Sequence, residues 1–74
     1  RPDIILFESN GIRIWMSSLN AEGTSITWIV DSTWDDASEE SRSKLIDELV
    51  TRSPEMKSVR LIDYRGNELA DRSL

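Results

Sequence analysis

DDASEESRSKLIDELVTRS, residues Asp35 to Ser53, is the only long segment of the chain with a helical period. At about 100° per residue, Leu45, Ile46, Leu49 and Val50 fall on one side, while Glu40, Lys44, Glu48 and Arg52 run up the other. Such a helix must lay its apolar stripe on another element. The sequence on both sides of it reads as strand, so the expected partner is one mainly antiparallel sheet. Glu40–Lys44 and Glu48–Arg52 are i,i+4 pairs in the favourable order, each worth about 0.3–0.5 kcal/mol. The helix is expected to stop at Ser53, because Pro54 disfavours α conformation in the residue before it. Arg42 falls inside the apolar sector, where it reads either as a stem snorkelling at the sheet margin or as an anchor for an anionic partner.

Upstream, Ile4–Glu8 and Ile12–Ser17 flank Asn10-Gly11, the dipeptide that most favours a type I′ hairpin turn. Counting outward sets Ser9 opposite Ile12, Glu8 opposite Arg13, Phe7 opposite Ile14, Leu6 opposite Trp15 and Ile5 opposite Met16. Glu8 and Arg13 then form an opposite-charge pair. This register assigns Ile5, Phe7, Ile12, Ile14 and Met16 to the floor under the helix. Ile4, Leu6, Glu8, Arg13, Trp15 and Ser17 go to a second face that is mixed rather than polar.

Ser18–Gly23 reads as a loop turning near Glu22-Gly23. Thr24–Asp31 returns as a third strand, with Ile26, Trp28 and Val30 inward and Ser25, Thr27, Ile29 and Asp31 outward. Thr33 with Asp36 is a weak capping-box variant at the strand-to-helix corner. Asp35, Asp36, Glu39 and Glu40 crowd the first helical turns, where the helix dipole favours negative charge. Val59–Tyr64 forms a fourth strand, Arg65-Gly66-Asn67 a turn, and Glu68–Asp71 a short fifth strand or the chain's exit. The order β-β-β-α-β-(β) over residues 1–74 describes a single small α+β domain: a three-stranded antiparallel meander, one amphipathic helix packed on one sheet face, then one or two further strands.

Composition narrows the function classes. The chain has 74 residues with no Cys and no His, so disulfides, thiolate metal sites and the commonest general base are excluded. Any catalysis would rest on carboxylates, hydroxyls, Lys or Tyr, and the expectation is a non-enzymatic domain without cofactor or metal. Adjacent carboxylates on the helix point about 100° apart and do not pair as acid and base. Asp31, Asp35 and Asp36 lack the spacing of a calcium loop. Acidic residues outnumber basic ones 14 to 9, for a net charge of −5, which repels phosphate backbones and anionic membranes. No apolar run approaches the roughly 20 residues of a membrane span, and a cytoplasmic location is the expectation. A start at Arg-Pro-Asp rather than Met reads as a chain trimmed from something longer.

Two partner modes follow. In the first, the domain binds a protein partner or itself, as a homodimer, through a sheet face or an edge strand. Trp15, Arg13, Leu6 and Arg42 are its candidate contacts, since a Trp beside an Arg on a face without a helix has the composition of an interface. In the alternative, the chain is a small acidic inhibitor or nucleic-acid mimic presenting Asp35, Asp36, Glu39, Glu40, Asp47 and Glu48 to a basic cleft. Five basic residues from Arg42 to Arg60 interrupt that field. Arg13, Arg60 and Tyr64 are of the basic and aromatic types that stack single-stranded bases on a sheet face, but neither candidate strand carries an aromatic RNA-binding motif.

Overall fold

The structure, a computed structural model, describes residues 5–74. Ile4, assigned above to the first strand and the second face, lies outside the described residues. Strands β1 (Phe7–Ser9), β2 (Ile12–Leu19) and β3 (Ser25–Val30) are followed by helices α1 (Thr33–Asp36) and α2 (Glu39–Thr51), then β4 (Ser58–Ile62) and β5 (Glu68–Ser73). The five strands form one sheet in sequence order, β1-β2-β3-β4-β5. Three pairings are antiparallel, and the helical crossover makes β3–β4 parallel.

The Asn10-Gly11 turn forms with both residues at positive φ, 55° and 78°, and Ser9–Ile12, Glu8–Arg13 and Phe7–Ile14 pair as counted. The register then lapses. Leu6 donates its amide to the Ile14 carbonyl at 2.8 Å instead of facing Trp15, and Ile5 lies outside the strand. The next loop closes at Gly23 (φ 72°), where the Asn20 side chain accepts the amides of Thr24 and Ser25 at 2.8 and 3.0 Å.

The core lies between the helices and one sheet face. Leu45 and Leu49 pack there with Ile12, Ile14, Trp28, Val30, Val59 and Leu61, and Phe7, Ile26, Ile46 and Val50 sit at the margin. Trp28 donates its indole N–H to Ser53 Oγ at 3.1 Å and meets Phe7 edge-on, with ring centroids 5.9 Å apart. Trp34 joins this core from α1. Both helix ion pairs form, Glu40–Lys44 at 3.2 Å and Glu48–Arg52 at 2.9 Å.

The expected single helix is divided. Ala37 and Ser38 are extended, with ψ of 149° and 163°, and Ser38 Oγ accepts the Ser41 amide at 3.1 Å to cap α2. The cap is therefore Ser38, and the Thr33–Asp36 box does not form: Thr33 is instead held by Asp31, whose Oδ1 accepts its amide at 2.9 Å. Helix α2 ends at Thr51, two residues before the expected stop.

The expected floor is corrected at its far end. Ile14 pairs with Val30 and Met16 with Ile29, so β2 bulges at Trp15. One extra residue reverses the alternation beyond it. Met16 moves to the outer face and is 52% exposed, while Ser17 takes the position opposite Trp28 on the helix side.

Candidate functional site: the outer sheet face and its groove

The outer face is built by alternation on the strands. Opposite the buried Trp28 and Val30, Ile29 points outward between Met16 on β2 and Ile62 on β4, its two ladder partners. The three form an apolar row across the middle of the sheet. No described helix packs on this side, since every helical core residue belongs to the cluster on the opposite face. The row ends at Glu68, the β5 partner of Ile62, whose carboxylate takes Arg60 Nε at 2.8 Å.

At the other end of the face, Ile5, Arg13, Trp15, Asp31, Ser32 and Tyr64 line an open groove of about 310 Å³. Trp15 projects from the bulge against Tyr64, with ring centroids 6.4 Å apart and planes inclined at 52°. Arg65 stands 4.8 Å from the Tyr64 ring centre and donates to its oxygen at 2.7 Å. Tyr64 is placed here because β4 ends at Ile62, and Asp63 ties the following turn by accepting the amides of Arg65 and Asn67, both at 2.9 Å.

Arg13 and Asp31 set the electrostatics. Asp31 is buried, and its Oδ2 accepts Arg13 Nε at 2.7 Å. Burial pushes the Asp31 carboxyl up, but hydrogen bonds from the Thr33 hydroxyl and amide, with the Arg13 charge, outweigh it and hold the group below its ordinary value. The charge at the groove is thus an internal pair, with the Arg13 side chain 41% exposed and the Asp31 side chain 7% exposed.

The structure brings Trp15 and Arg13 together as expected and separates the other two candidate contacts. Leu6 is half exposed, and Ile5 rather than Leu6 lines the groove. Arg42 donates from Nε and Nη2 to the Trp34 carbonyl, at 3.1 and 2.9 Å, and lies 4.9 Å from the Trp34 ring centre. It closes the end of α1, with Nε and Nη2 engaged on the Trp34 and Asp35 carbonyls.

The alternative acidic surface is divided. Asp35 and Asp36 lie on α1, and Glu39, Glu40, Asp47 and Glu48 on α2. Glu40 is matched by Lys44. Glu48 takes bonds from Ser9 and Arg52, which hold its carboxyl below the usual range. Among the described residues no three carboxylates gather closely enough to hold a metal ion, and no described helix is long and apolar enough to cross a membrane.

Sequence reading placed Ile29 and Asp31 outward but missed Ile5, Met16, Ser32 and Ile62 as members of this face. Ile29 was legible as the one apolar residue in the outward set of β3. Met16 was hidden by the bulge. Asp31 and Ser32 join the groove only through the packing of the β3–α1 corner against Arg13. No family model matches the chain, and no curated protein and no solved structure matches it either, so the open face and its groove are what a function must be built on.

Proposed function

We propose that this chain is a non-enzymatic interaction domain that engages a protein, either a different partner or a second copy of itself, through the outer sheet face around Trp15. The observation that carries the reading is the apolar row Met16–Ile29–Ile62 running beside Trp15 and Tyr64 on a sheet side that no described helix covers. A contiguous apolar surface with aromatic and Arg residues at its margin is the composition of a protein interface. The flanking charges are already paired, Arg13 with Asp31 and Arg60 with Glu68, so covering the face need not bury an unmatched ion.

The edge strands support the face over the edges. Strand β1 has only three residues, and β5 carries Glu68, Asp71 and Arg72, the short and charged edges that resist strand addition.

Sedimentation equilibrium of the purified chain, over a concentration series at low and high salt, tests the reading. A dimer that persists in high salt and is lost in Trp15→Ala places a second copy on the face. If the chain is monomeric, a photo-crosslinking residue at Met16 is expected to capture a partner that the same residue at Lys44 does not. Association indifferent to Trp15→Ala, or equal capture from both positions, would sink the proposal.

A further inference from the structure

The polar groups of the groove are lopsided. Asp31 is its one carboxylate, and both oxygens are occupied: Oδ2 by Arg13 Nε, Oδ1 by the Thr33 amide and hydroxyl. The donors are not. Among the described residues, the Ser32 hydroxyl, the Trp15 indole N–H and the terminal nitrogens of Arg13 have no hydrogen-bond partner. Tyr64 accepts from Arg65 and keeps its own hydrogen to give.

Arg13 and Asp31 cancel, and Arg65 lies over the Tyr64 ring at the margin of the groove. Trp15 and Tyr64 supply a flat apolar wall beside these donors. At about 310 Å³, the groove sits at the small end of ligand sites. It is sized for one or two side chains rather than a whole helix.

Resting on the interaction reading above, we propose that this groove takes an acidic peptide segment of the partner, in which an Asp or Glu side chain lies next to a large apolar one. The carboxylate sits on the terminal nitrogens of Arg13 with the Ser32 and Tyr64 hydroxyls, and the apolar neighbour lies against Trp15 and Tyr64. A groove that offers donors and no unoccupied carboxylate favours an anion over a cation or a neutral amide.

Blocked dipeptides test this on the whole chain: N-acetyl-Phe-Glu-amide, its Gln counterpart and its Lys counterpart, followed by two-dimensional nitrogen–proton NMR. The Glu peptide is expected to shift the Trp15 indole signal and the Ser32 amide saturably. The Gln peptide should bind about tenfold more weakly and the Lys peptide more weakly still. Arg13→Gln should abolish the Glu-over-Gln preference. Because Arg13 also holds Asp31, Tyr64→Ala provides a variant at an exposed position, expected to weaken the Glu and Gln peptides by similar factors. Equal binding of Glu and Gln, a preference for Lys, or shifts that bypass Trp15 would overturn the proposal. If the dipeptides fail while association still depends on Trp15, the groove assignment falls and the outer-face reading stands.

Discussion

Asp31 shows how a single buried carboxylate organises its surroundings: it fixes Arg13 through Oδ2 and starts α1 by receiving Thr33 through Oδ1. Asp63 does the same for the β4–β5 turn. Burial raises its pKa, but the Asn67 and Arg65 hydrogen bonds prevail and lower it. Glu48 is lowered by its bonds from Ser9 and Arg52. All three groups hold their protons more weakly folded than unfolded, so their stabilisation is fully present above the ordinary carboxylate range near pH 4. It is lost as the pH falls through the depressed folded values. Urea midpoints should therefore be flat from pH 7 to about pH 5 and fall below about pH 4, and Asp31→Asn should flatten that acid limb. A variant with the same acid limb as the parent would remove Asp31 from this account.

At the scale of elements, the break between α1 and α2 depends on Ser38. Its side chain satisfies the Ser41 amide at the start of α2, so Ser38→Ala should cost about 1 kcal/mol in denaturant unfolding. Loss below about 0.3 kcal/mol would mean that water replaces the cap. The elements differ in how openly the sequence declares them. Asn10-Gly11 announced its turn because the two residues best suited to positive φ stood together between apolar runs. Leu45 and Leu49 announced the buried side of α2 by period alone. Ser38 was visible too, a capping residue directly before two acids, but the wider run of helix formers masked it. The bulge at Trp15 had no local sign, since Ile-Trp-Met carries neither Gly nor Pro and simple alternation fits it equally well. Its cause is tertiary, in the way β3 aligns with β2.

For the whole molecule, the two sheet faces should respond differently to loss of an aromatic residue. Trp28 is a wall of the core and is only 6% exposed, so Trp28→Ala should cost about 3–5 kcal/mol, much of the stability of a domain this small. Trp15→Ala removes a half-buried ring from a face open to solvent and should cost about 1 kcal/mol. Chemical denaturation of the two variants checks the division, and equal losses would contradict it. The α+β order and the helix-covered face were legible because periodicity reports which side of an element is apolar. The groove was not, because Arg13, Trp15, Asp31, Ser32 and Tyr64 are spread along the chain and meet only when the sheet forms.

The bulge has a bearing on descent. Since Ile14–Val30 and Met16–Ile29 flank the extra residue, a chain lacking position 15 pairs those same residues in unbroken register. Nothing downstream changes face. A one-residue insertion or deletion here is therefore nearly silent for the fold and decisive for the surface, adding or removing the Trp and with it a wall of the groove. Lineages can gain or lose this binding surface in one codon-sized step while the core stays as it is.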